Sequence, residues 1–328
     1  MPPAVLYADA PARGRFGNLL PAAIFLVLAC VPLFAPLLGA GYVLSFASRV
    51  MIFAIAAVAL DLLVGYAGLI SFGHAAFIGL GAYAVGILSA HGISDAMLSL
   101  PLALAVSALF AVLTGIVCLR TKGVYFIMIT LAFGQMAFFI ASSLAPSGGD
   151  DGLTIATRNT FAGLALLRNE HFFYYVVFSC LLASYLFCRT IVLSRFGRVV
   201  RGAKENPIRM ATIGFDVMRF QLMTYVIAGM LAGLAGFLLA NATEFVSPAY
   251  MSWQRSGELI VMVLLGGLGS LHGAILGTAA YLLAEEWLSG FTEHWKVIFG
   301  PLLVLVVLFA RGGLIGIGRE LTRRLHRG

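Results

Sequence analysis

Apolar runs of about 20 residues, parted by short polar or glycine-rich breaks, fill nearly the whole chain. A helix needs about 20 apolar residues to cross a hydrocarbon core of about 30 Å, whereas barrel strands show short alternating segments. The pattern therefore predicts an all-α integral membrane protein of about 10 transmembrane helices. The expected spans are Leu19–Leu38, Phe46–Val64, a third from near His74 to Ala90, Met97–Leu119, Val124–Leu144, Phe172–Leu193, Phe220–Ala240, Ser256–Leu268, Leu271–Leu288 and Trp295–Ala310. Arg13 and Arg15 precede the first run as in a signal peptide, but that run exceeds the usual core of about 7–15 residues and is read as an uncleaved span. Residues 1–18 then form an N-terminal tail, 19–311 the membrane domain and 312–328 a basic C-terminal tail.

One stretch stands out, Gly65 to Tyr83, GYAGLISFGHAAFIGLGAY. Glycine weakens helices, yet Gly65, Gly68, Gly73, Gly79 and Gly81 interrupt this run between long apolar segments, with Ser71 and His74 at its centre. Two readings fit. Small residues let helices pack backbone to backbone, or a broken, re-entrant helix exposes main-chain groups to a solute. His74 has the same two readings, a buried ring bonded to a neighbouring carbonyl or a contact on the pathway. Asp61, just before the break, is placed to cap or anchor it. His74, Gly79 and Tyr83 recur as His272, Gly277 and Tyr281 at a constant offset of 198, and each histidine follows a glycine-rich break. The second break carries Gly266 and Gly269. Paired breaks of this kind mark the pathway in many transporters, so both segments are candidate pathway residues.

Composition agrees with the pattern. The 328 residues are 61% hydrophobic and only 11% charged, too few charges to wet the surface of a soluble domain, where about 25% is usual. The net charge of +7 does not point to nucleic acid, because the basic residues lie in the connections. With ten spans and both termini cytoplasmic, 16 of the 21 Lys and Arg fall inside, as the positive-inside rule requires. Cys30, Cys118, Cys180 and Cys188 all lie in apolar runs without metal-ligand spacing and read as small hydrophobes.

The motifs of several enzyme classes are missing. There is no phosphate-binding glycine loop with Lys and Ser/Thr, no HExxH and no nucleophile elbow. The work is passage of a solute, with no cofactor expected on this chain. A polar outer loop spans 145–171, and a cytoplasmic basic segment spans 194–219. In the latter, Asn206-Pro207 opens a short helix and Gly214 closes it. This segment is either a basic loop drawn to anionic membrane lipid or a short helix offered to a partner, with Ile208, Met210 and Ile213 as a knob.

GYAGLISFGHAAFIGLGAY, the later GGDDGLT, RGAKENPIRMATIGFDVMRFQLMTYVIAGMLAGLAG, GGLGSLHGAILG and the terminal RGGLIGIGRE together resemble the permease subunit of bacterial branched-chain amino acid ABC importers of the LivH/LivM type, the LivM branch in particular. The likeness runs from about Leu44 to Arg319, with a departure at Leu69, where many relatives carry a polar residue. It implies a subunit in the inner membrane that works with ABC ATPase subunits, which use the ATP, with a second homologous permease and with a periplasmic solute-binding protein. It places Glu205, Asn206, Pro207, Ala211 and Gly214 in the loop that docks on the ATPase. Two other functions fit the same pattern, a permease for urea or short amides and a stand-alone secondary transporter. The docking-type loop favours the ABC class.

Overall fold

The computed structural model describes residues 16–34, 40–143, 148–155, 157–161, 166–290, 294, 297, 299–301 and 312–316. Its helices, in chain order, are α1 (Phe16–Phe34), α2 (Ala40–Asp61), α3 (His74–Ala90), α4 (Ala96–Cys118), α5 (Val124–Ser143), α6 (Glu170–Leu193), α7 (Arg195–Glu205), α8 (Pro207–Thr212), α9 (Val217–Thr243), α10 (Trp253–Gly266) and α11 (Leu271–Ser289). A π-helical turn, Leu62–Tyr66, follows α2. Two short strands, β1 (Leu153–Thr154) and β2 (Phe245–Val246), pair antiparallel.

Polar residues between the apolar runs set where the helices begin. Asp95, Asn169, Ser194, Asn206, Asp216, Ser252 and Ser270 each accept a hydrogen bond from a first-turn amide of the helix that follows. Asp216 and Ser252 start α9 and α10 three residues before the apolar runs do. At its far end α9 runs on through Asn241, which the sequence places in a polar connection. Asn241 is fully buried because its amide is used on both sides: Nδ2 donates to Phe237 O at 2.9 Å and Oδ1 accepts from Asn159 N at 2.9 Å.

The protein is an all-α, multi-pass membrane protein. Among the described residues five segments are long and apolar enough to cross a membrane: Gly41–Tyr66, Ala96–Cys118, Val124–Ser143, Glu170–Leu193 and Val217–Thr243. α10 and α11 pass the same test only together and are bent by 115° at their glycine break. Leu20–Phe34 and His74–Ala90 are apolar but shorter. Most of the expected tenth span, and both tails apart from a few residues, lie outside the described residues.

α2 and α9 form the centre, with 72% and 67% of their apolar windows buried against 28% for α4 and α5. α4 and α5 turn Leu109, Leu113, Tyr125, Met128, Met136 and Phe139 outward, as lipid-facing helices do. The central contacts are made by small residues. A Cβ on Gly81 of α3 would overlap Gly233 O of α9, and one on Gly236 of α9 would overlap Ile78 O. Only glycine allows that approach.

The helix ends sort into two faces. At one face Arg49 pairs with Glu285 at 3.9 Å and the Tyr42 hydroxyl bonds Glu286, tying the start of α2 to the end of α11. On this face too β1 pairs with β2, Asp95 bridges Thr160, and Arg158 pairs with Glu244 at 3.2 Å. At the other face the π turn, α7 and the α10–α11 break come together.

Candidate functional site

The regular hydrogen bonding of α2 stops at Asp61 and the helix widens. Ala67 N bonds Leu62 O at 3.3 Å and Leu69 N bonds Leu63 O at 3.0 Å. The chain then runs without helix to His74, where α3 begins. The Gly65 carbonyl is taken by the Lys204 ammonium of α7 at 2.6 Å. Gly68 sits at φ 74°, in the left-handed region that favours glycine, with the stem of Lys204 against it. Phe72 N donates to Thr130 Oγ1 of α5 at 3.3 Å, Gly73 N to Ser71 Oγ at 3.3 Å, and Ala75 N to Ser256 Oγ of α10 at 3.1 Å. α5, α7 and α10 therefore hold the first break. Irregular backbone shielded from water has to be satisfied by protein groups, and here these three helices supply them.

The second break touches the first. Asp61 is fully buried, and its Oδ1 accepts from Gly269 N at 2.8 Å. A Cβ on Gly65 would overlap Asp61 Oδ1 and lie 2.5 Å from Gly269 N. Asp61 therefore anchors the partner break rather than capping its own. Gly269 has φ 75° and Gly267 φ 107°. Gly266 closes on Gly273, and a Cβ on Gly277 would lie 2.5 Å from Gly266 N, so α10 and α11 meet backbone to backbone.

The two histidines differ. His74 is fully buried, 5.7 Å from the Phe77 ring in an edge-on arrangement, and neither ring nitrogen has a hydrogen-bond partner among the described residues. No neighbouring carbonyl satisfies it. His272 is only partly buried and lies 3.3 Å from Ser270 Oγ. Gly79 faces the flexible side chain of Met251, whereas Gly277 faces main chain. Tyr83 and Tyr281 are both buried, and the Tyr83 hydroxyl lacks a partner among the described residues. The echo at offset 198 thus extends to a break followed by a helix in each case and not to the environment of the histidines.

α7 leads from this junction to the surface. Glu205 ends it, Asn206 Oδ1 caps α8 on Arg209 N at 2.9 Å, and Pro207 takes the first position of α8. Gly214, at φ 97°, closes the turn with open space where a Cβ would be. Ala211 is exposed, and Ile208 and Ile213 are 76% and 64% exposed. The sequence did not point to Lys204, Thr130 or Ser256. Lys204 lies 139 residues from Gly65, and no spacing links them. The one available signal was a lysine directly before the docking-type motif.

A family model described as "Branched-chain amino acid transport system / permease component" matches residues 42–308. The chain is 27% identical over 296 residues to the high-affinity branched-chain amino acid transport system permease protein LivM of Salmonella typhimurium, covering 83% of this chain and 70% of that protein. It is 26% identical to the LivM protein of Escherichia coli over the same shares. The Escherichia coli LivH protein is 32% identical over 143 residues, 43% of this chain and 45% of that protein. No solved structure matches. A glycine-broken pair of helices held at one buried junction, in a chain matched over most of its length by this model, places the protein in the branched-chain amino acid transport permease family.

Proposed function

We propose that the chain is the membrane subunit of an ATP-binding cassette importer, carrying branched-chain or related amino acids inward across the bacterial inner membrane by alternating access. The substrate is taken from what its relatives are named for. The chain works with ATPase subunits that use the ATP, a second homologous permease, a periplasmic binding protein and membrane lipid, and holds no cofactor itself. Both termini are cytoplasmic, and about ten segments span the membrane, α1–α6 and α9–α11 among them. In support, the basic α7–α8 segment shares its face with both glycine breaks, and β1, β2 and Arg158 share the other. α3, at 17 residues, is about 25 Å long, and α10, at 14 residues, about 21 Å. Both are shorter than the ~30 Å core, which supports breaks set in from that face.

The observation that carries this reading is α8. Met210 packs it on Gly202 of α7, while Ile208 and, just past its end, Ile213 stay uncovered, and α7 grips the first break. Exposed isoleucines on a capped, basic-flanked knob fit a groove on a cytoplasmic partner. Ile208→Asp with Ile213→Asp should leave the chain folded, since both side chains are exposed. It should also abolish co-purification of the ATPase subunit and uptake of labelled leucine. Retained co-purification and uptake would overturn the docking role. Uptake of labelled urea instead of leucine would move the substrate to the amide class.

A further inference from the structure

The basic segment has one residue that the docking reading does not use. Lys204 points away from the knob and into the membrane domain, where its ammonium donates to Gly65 O at 2.6 Å. Its stem lies along Gly68, with a Cβ there only 2.9 Å from Lys204 Cγ. Gly65 in turn packs on the Gly269 amide, which is bound by Asp61 Oδ1. One side chain from the cytoplasmic segment therefore reaches a junction where both breaks meet. Asp61 Oδ2 is buried without a well-formed hydrogen bond among the described residues, and the carboxyl feels the Ser270 amide and the Lys204 charge.

Resting on the docking reading, we propose that Lys204 is a positioning residue, a clasp that makes the two glycine breaks move as one with the α7–α8 segment. In the arrangement seen here the ammonium holds the Gly65 carbonyl. When a partner shifts α7, the ammonium has a second acceptor within the same junction, Asp61 Oδ2, which makes no well-formed hydrogen bond in this arrangement. The clasp thus has two discrete seats, and the Asp61–Gly269 bond carries either seat to the second break. A coupling element needs two such arrangements rather than mere proximity. Lysine suits the role, since its charge sits on a long flexible stem with three rotatable donors.

The first test is hydrogen exchange on the full chain in detergent and in the assembled transporter. Lys204→Met keeps the stem and removes the donor. It should speed amide exchange about tenfold or more in residues 65–73 and 266–270, the loss expected for one charged hydrogen bond. Lys204→Arg should restore most of the protection. In the assembled transporter Lys204→Met should lower uptake per ATP hydrolysed by a similar factor while the ATPase subunit still co-purifies. Unchanged exchange at both breaks, or unchanged uptake per ATP with docking intact, overturns the clasp. Loss of co-purification in the wild-type chain would instead strike the docking reading, and the exchange result on the chain alone would still decide the clasp.

Discussion

Replacing Gly65 with Ala adds a single methyl group at the point where the two breaks touch. That carbon would overlap Asp61 Oδ1 and lie 2.5 Å from Gly269 N and 2.8 Å from Gly269 Cα. The groups it meets are a buried carboxyl and main chain, so neither can swing aside as a side chain would. To reach ordinary contact at 3.4 Å the second break must retreat by roughly 0.9 Å. That takes the 2.8 Å Gly269–Asp61 bond to the edge of hydrogen-bonding range. Overpacking costs about 1–3 kcal/mol and losing a hydrogen bond to a charged or buried acceptor about 1.5–3 kcal/mol. The total is about 3–6 kcal/mol, which corresponds to a fall in melting temperature on the order of 10 °C. Gly257→Ala, inside α10, is the control, because a Cβ there meets only the Phe72 ring at 4.0 Å and should not lower stability. Melting followed by tryptophan fluorescence in detergent, with labelled leucine uptake in cells, reads both effects. A Gly65→Ala protein that melts within about 2 °C of wild type and transports normally would refute contact between the breaks.

Gly81→Ala should destabilise more than Gly79→Ala, since its methyl overlaps the Gly233 carbonyl rather than a side chain, and the same melting assay ranks them. Arg158→Ala removes an ion pair to Glu244, a 3.3 Å bond to Leu167 O and a contact on the Phe173 ring from a side chain only 15% exposed. Its loss should cost about 1–3 kcal/mol, discounted because Glu244 is half exposed, while loss of the surface pair through Arg219→Ala should cost below about 0.5 kcal/mol. Gly214→Leu forces a side chain into a φ of 97°, a strain of about 1–3 kcal/mol, and should depress uptake at unchanged expression. Cysteines at the exposed Phe161 and Ile213 positions report orientation: a membrane-impermeant maleimide should label Phe161→Cys in intact cells and Ile213→Cys only after lysis.

Much of this fold was written in hydropathy. Val124 and Leu193 bound their helices where the apolar runs do, because a membrane span needs little beyond length and apolar side chains. Errors came where a polar residue has a use that hydropathy does not see. Asn241 reads as a loop residue, yet both ends of its amide find partners inside the helix bundle. Asp61 reads as a cap or anchor of the break beside it, but its target lies 208 residues away, beyond any local pattern. Most glycines of the two breaks are legible as exceptions to helix chemistry, though Gly267, at φ 107°, is not among those the pattern singles out. Which glycine faces which backbone depends on tertiary approach, which no single stretch encodes.

A junction built of glycine leaves no slack. Main chain has no rotamers with which to absorb a small displacement. Where Gly65 meets Gly269 and Gly266 meets Gly273, a shift of one segment must carry its neighbour along as a body or open the contact outright. The fold therefore tolerates few intermediate positions at this point, and a change there comes as a step rather than a drift.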